Sequence, residues 1–218
     1  MFVGHYSVSF AGKAAEPRIP LWLLFIAVQF VDVLWAIFVL LGIEKVRIVP
    51  GITATSPLDL YYMPYTHSLV GAIGWSLLAF VVCQLVPNLR GSRTGWIVAL
   101  AVFSHWVLDL LVHRPDMPLY DSTFKMGFSL WNYRIAAFVV ELVVLLGGAA
   151  LYLRAASRKG RISTFVLILV VVHVYGTFFF PPPPSDRAIA LTALSFYAVL
   201  ALIAWWADPG QQTNAYQS

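Results

Sequence analysis

Six long apolar stretches, at residues 20–43, 66–87, 94–113, 132–153, 162–180 and 187–206, constrain this chain more than anything else in its sequence. A helix needs about 20 predominantly apolar residues to cross the hydrocarbon core of a bilayer, and each stretch meets or nearly meets that length. Between them lie turn and charge signals: Pro87 to Arg93, Arg154 to Arg161, and the four consecutive prolines Pro181–Pro184, which cannot continue a helix because proline lacks an N–H and fixes φ. Of the 218 residues, 60% are hydrophobic and only 11% charged, against about 25% charged in a soluble domain. So much apolar surface has no place in one water-facing core. The expected fold class is therefore all-α: a polytopic membrane bundle of about six transmembrane helices, one domain over 1–207, followed by a flexible polar tail at 208–218. Residues 44–65 and 114–131 read as longer loops rich in aromatics.

The net charge of +4 is carried by short Lys and Arg clusters between the apolar runs. These suit loops against lipid headgroups and exclude the continuous basic face that nucleic-acid binding needs. Membrane lipids are the expected partners. The single cysteine, Cys83, lies inside an apolar run and has no partner for a disulfide or a CxxC pair. The first apolar run is too long for a signal h-region, so no cleavable signal peptide is expected. The densest basic cluster, at 154–161, places its side in the cytoplasm by the positive-inside rule. Both termini are then cytoplasmic, and loops 44–65, 114–131 and 181–186 face outward.

Ionisable side chains inside a span cost several kcal/mol each and tend to mark function. Here they are Asp32, His67, His105, Asp109, Glu141 and His173, with His113 at the end of the third stretch and His5 ahead of the first. His105, Asp109 and His113 recur at i, i+4 and i+8, on one helical face with steps of about 6 Å. A His and a carboxylate one turn apart can share a divalent metal, the geometry used by HExxH helices. They can equally form a hydrogen bond that keeps two polar groups satisfied between helices. Helices two and three are joined by a short loop and should be antiparallel neighbours, which lets His67 reach Asp109. His173 has no acidic neighbour on its face and reads as a packed, hydrogen-bonded histidine. Gln29, one turn before Asp32, reads as its supporting partner. The glycines, Gly148 among them, read as sites of close helix contact.

The order Gly4-His5, Asp32-Val33-Leu34, Tyr65-Thr66-His67-Ser68-Leu69, Ser104-His105-x-x-Leu108-Asp109 and Glu141 resembles the bacterial membrane-bound metal-dependent hydrolase family, the domain of unknown function 457 group. That family is similar in motif order to the zinc-dependent phospholipase C and P1 nuclease group. The resemblance covers most of the chain up to helix four. It implies a bacterial inner-membrane protein with metal ligands at His5, Asp32, His67, His105 and Asp109, and with Glu141 as a further ligand or general base. Two positions depart from the pattern. Phe30 stands where the family often has an aspartate, and Tyr61-Tyr62-Met63-Pro64 stands where it often has a second histidine.

The leading expectation is an integral membrane metal-dependent hydrolase. It would use a divalent ion, zinc by its ligand types, and act on a lipid or lipid-linked (phospho)ester, with Asp109 and Glu141 in catalytic roles. The alternatives are an ion- or proton-coupled transporter using Asp32, Asp109 and Glu141 as relay groups, and a scaffold whose polar cluster only locks helices together. The sequence leaves the oligomeric state open.

Overall fold

A computed structural model describes residues 1–156 and 159–208. Among the described residues there are eight α-helices. α1 (Tyr6–Ala15) follows a 3-10 turn at Val3–His5. Then come α2 (Leu21–Val28), α3 (Phe30–Leu40), α4 (Leu69–Leu85), α5 (Ser92–Val112), α6 (Arg134–Ala155), α7 (Lys159–Phe178) and α8 (Asp186–Ala207). The protein is a polytopic membrane helix bundle. α5 to α8 are each long and apolar enough to cross a membrane. α2 and α3 qualify only as a pair, bent by 53°. α4 is apolar but has 17 residues, about 26 Å of helix against a hydrocarbon core of about 30 Å.

The expected single helix over 20–43 is therefore two. Gln29 leaves the helical region at φ −103°, ψ 6°, and the chain changes direction there. Nothing in the run Leu21–Leu40 breaks a helix by its own chemistry, since it contains neither Pro nor Gly. The bend is imposed by packing.

The loop expected at 44–65 holds a two-stranded antiparallel hairpin, β1 (Lys45–Ile48) and β2 (Leu58–Tyr62). Arg47 pairs with Asp59 across it at 2.7 Å, and Arg114, just beyond α5, meets the other oxygen of the same carboxylate at 2.9 Å. Asp59 thus ties the hairpin to the end of α5 that carries His113.

α5 is the centre of the bundle: half of its apolar window is buried, against 22% for α8. α1, an element that hydropathy alone does not reveal, lies inside the bundle against α2, α5 and α6. Its Tyr6 and Phe10, and Val3 of the turn before it, are buried, and Phe10 meets the rings of Phe25, Tyr152 and Phe165. The approach to α6 depends on Gly148, where a Cβ would overlap the Ser7 backbone. At the far end of α1, Lys13 donates to the Pro17 and Ile19 carbonyls and ion-pairs with Asp208 at 3.0 Å. Asp208, expected in a loose tail, is pinned to the bundle. Residues 209–218 lie outside the described residues.

Candidate metal centre

Four segments deliver the site. His5 ends the first 3-10 turn, and Asp32 sits in the first turn of α3. His67 immediately precedes α4, whose N-cap Ser68 accepts from Gly71 N–H. His105 and Asp109 project from α5, and His113 is its C-cap. The side chains of His5, His67, His105, Asp109 and His113 are at most 3% exposed. Asp32 is the open edge, at 19%.

Around Asp109 the Nε2 atoms of four histidines gather: His5 at 3.0 Å from Oδ1, then His105 at 3.1 Å, His113 at 3.4 Å and His67 at 3.8 Å from Oδ2. Asp32 Oδ1 lies 3.3 Å from His67 Nε2 and 3.4 Å from His105 Nε2. The His5 and His105 rings stack at 4.0 Å. Two triplets, His5/His105/Asp109 and Asp32/His67/His105, place one ligand atom per residue within 4.8 Å of each other. His105 belongs to both. The Met1 amine also touches Asp109.

Donor counting fixes the tautomers. His105 Nδ1 lies 2.7 Å from the Val28 carbonyl, which can only accept, so Nδ1 carries a proton and, in the neutral ring, Nε2 holds the lone pair. Val28 is the last residue of α2, so the bend at Gln29 supplies the carbonyl that orients His105. At His67, the Glu44 carboxylate takes the Thr66 hydroxyl proton at 2.6 Å. The Thr66 oxygen must then accept from His67 Nδ1 at 2.8 Å, which again leaves Nε2 with a lone pair. His113 Nδ1 donates to Asp116 at 2.9 Å, with the same consequence. Metal-ligating histidines characteristically hand their other N–H to a carboxylate or a carbonyl in this way. With neutral rings, three imidazole lone pairs then point at two carboxylates. His105 Nε2 has no hydrogen-bond partner among the described residues. This donor set fits a divalent cation of the kind that binds His nitrogen and carboxylate oxygen.

Several contributors carry no motif of their own. Tyr197 on α8 donates to Asp32 Oδ2 at 2.7 Å, turning Oδ1 towards the histidines. Trp106 Nε1 donates to the His67 carbonyl at 2.9 Å. Glu44, Thr66 and Asp116 hold His67 and His113. Of these, Asp116 lies three residues beyond His113, a spacing that could have been read from the sequence. Glu141 has a different use from the one expected: its Oε2 accepts the backbone N–H groups of Phe2 at 2.8 Å and Gly4 at 3.3 Å. It holds the segment that carries His5 and belongs to neither triplet. His173 donates to the Phe138 carbonyl at 3.1 Å and stacks on that ring at 4.7 Å, away from the cluster.

No protein-family model, curated protein or solved structure matches the chain.

Proposed function

We propose that this protein is an integral membrane metal-dependent hydrolase that acts on a lipid or lipid-linked phosphoester. The observation that carries the reading is the convergence of imidazole Nε2 atoms on Asp32 and Asp109, each on a ring whose Nδ1 already donates elsewhere. Lone pairs facing carboxylates in a buried site repel unless positive charge sits among them. His5, His67, His105, Asp32 and Asp109 would hold a divalent ion, zinc by ligand type, with His113 beside them. Such an ion supplies Lewis acidity towards a phosphoryl oxygen. The protein's own residues do the rest: Tyr197 fixes Asp32, Val28 and Glu44 fix the tautomers of His105 and His67, and Glu141 holds the His5 segment. This last role replaces general base as our reading of Glu141. Asp32, the exposed edge, marks the way in, and a substrate with a lipid tail would approach it from within the bilayer. The motif resemblance supports the same class and a bacterial inner-membrane location.

The Met1 ammonium against Asp109 and a protonated His105 are the rival sources of positive charge, and they suit the scaffold reading. Elemental analysis of detergent-purified protein separates the two. About one or two divalent ions per chain, lost on His105→Ala/Asp109→Ala substitution, is the expected result. Phosphate release from a lipid monophosphate in mixed micelles should fall to background in the same variant. Metal-free wild-type protein, after purification without chelator and incubation with zinc, would sink the proposal.

A further inference from the structure

Next to the metal cluster lies a group of polar atoms that the ligand set does not use. Gln29, at the bend between α2 and α3, is fully buried. Its backbone is satisfied: the N–H reaches the Ile26 carbonyl at 3.2 Å, and its carbonyl accepts from Val33 at 2.9 Å. Neither end of its side-chain amide has a hydrogen-bond partner among the described residues. Tyr6, 1% exposed, stacks on Phe25 at 4.4 Å, and its hydroxyl is equally without a partner. The amide of Gln29 lies beside that hydroxyl without hydrogen-bonding geometry. Tyr6 is also within electrostatic reach of Asp32 and of Tyr197. Gln29 is flanked by site residues in sequence: Val28 anchors His105, and Asp32 follows three residues later.

Burying three polar atoms without partners is costly, most of all where lipid surrounds the protein. The sequence led us to expect that Gln29 supports Asp32, but Asp32 takes its hydrogen bond from Tyr197 instead.

We infer that Gln29 and Tyr6 form a subsite for the oxygens of a phosphoryl group presented to the metal centre. The amide offers two N–H donors and one acceptor, and the tyrosine offers a hydroxyl that can do either. A phosphate monoester has acceptor oxygens and, with a second pKa of about 6, an O–H to give in a buried site. An acyl carbonyl offers only an acceptor, so Gln29 Oε1 would depend on the Tyr6 hydroxyl alone. The chemistry is shared by inorganic phosphate and a lipid phosphate headgroup. The inference rests on the hydrolase reading for its choice of ligand, and it narrows the substrate class to phosphate monoesters.

The test uses the full chain in detergent and in nanodiscs, with zinc content measured on every sample. Inorganic phosphate is titrated calorimetrically into the detergent sample. Phosphatidic acid binding is measured in nanodiscs against a neutral lipid background. Wild-type protein should bind at least one of these probes. Gln29→Leu should lose tenfold or more in affinity, Gln29→Glu should lose at least as much through charge repulsion, and Tyr6→Phe should lose several-fold. Zinc content should be unchanged throughout. Binding of phosphate alone, or of phosphatidic acid alone, identifies the source of the phosphoryl group and supports the inference. Equal binding by wild type, Gln29→Leu and Gln29→Glu overturns it, as does zinc-loaded wild type that binds neither probe. Gln29-dependent phosphate binding without zinc would instead leave this subsite standing and remove the metal reading. Should Gln29→Leu fail to fold, Gln29→Glu and Tyr6→Phe give the same comparison.

Discussion

Both ends of α1 carry buried charge, and the two ends are assembled on opposite terms. At the Lys13 end donors and acceptors are equal in number, with the Asp208 oxygen meeting the ammonium as an ion pair outside hydrogen-bond geometry. The ammonium has three N–H groups and three oxygens around it, from Pro17, Ile19 and Asp208, at 2.7 to 3.0 Å. At the His5 end, acceptors outnumber donors. Asp32 and Asp109 receive hydrogen bonds from Tyr197 and the Met1 amine, while the Nε2 atoms of His5, His67, His105 and His113 crowd the same carboxylates, bringing lone pairs wherever the rings are neutral. Both clusters are sequestered, so burial does not tell them apart. Whether the hydrogen-bond inventory closes without help from outside the chain does.

The sharpest way to break this comparison is to delete one charge at each end in chelator-treated protein. Lys13→Met should destabilise the fold by about 2–4 kcal/mol, because Asp208 and two carbonyls lose their donor. Asp109→Asn should leave stability within about 1 kcal/mol or raise it. The amide oxygen can still accept from the Met1 amine, whose lost ion pair is offset because one of two repelling carboxylates is gone. Thermal unfolding in a single detergent measures both. If Asp109→Asn proved the more damaging of the two without metal, the His5 end would be a closed structural network like the Lys13 end.

A smaller effect should follow from Glu44→Gln, which sharpens the tautomer argument. Glu44 Oε1 accepts from the Tyr65 and Thr66 amides and Oε2 from the Thr66 hydroxyl. A glutamine can keep the first role, but its NH₂ then faces the hydroxyl and donates. Thr66 would turn its own proton to His67 Nδ1, and the His67 proton would move to Nε2, the atom that faces the cluster. Metal affinity should drop by about 10–100-fold, the usual cost of losing an outer hydrogen-bond partner, with little change in unfolding temperature. Nitrogen chemical shifts of His67 would report the tautomer directly. Unchanged metal affinity would remove His67 from the ligand set.

The helices of the bundle were legible because crossing lipid demands length and hydropathy, and both are written locally. The i, i+4 spacing of His105 and Asp109 was legible for the same reason. What escaped depends on long-range packing. The apolar residues Phe2, Val3, Tyr6, Val8 and Phe10 already send the first residues, and His5 with them, back into the bundle, but the Gly148 contact and the Phe25/Phe165 pocket that seat α1 depend on packing. The bend at Gln29 has no Pro or Gly to announce it. β1 and β2 have only four and five residues, too short for alternation to stand out. Tyr197 looks like any interfacial aromatic until α8 packs against α3. Glu141 was visible as an intramembrane acid, yet its use as an acceptor for the Phe2 and Gly4 amides requires knowing that the first residues enter the bundle.

The smallest expected effect lies at the Lys13 end, in the turn between α1 and α2. Glu16 is held by Arg18 at 2.8 and 3.0 Å, with Arg93 at 3.6 Å. The hydrogen bonds from Arg18 hold its carboxyl below the ordinary glutamate range, against a burial effect in the other direction. A carboxyl with a lower pKa folded than unfolded contributes stability at neutral pH, and that contribution is lost as pH falls below about 4.5 through the folded value. Arg18 is 72% exposed, so the contribution should stay below about 1 kcal/mol and shrink in high salt. Glu16→Gln should therefore cost little at pH 7. It should also flatten part of the acid limb of a stability–pH curve, by an amount that 1 M NaCl largely erases. A salt-independent loss above 2 kcal/mol at pH 7 would mean that Glu16 is built into the closed network around Lys13 rather than standing at its solvent-exposed rim.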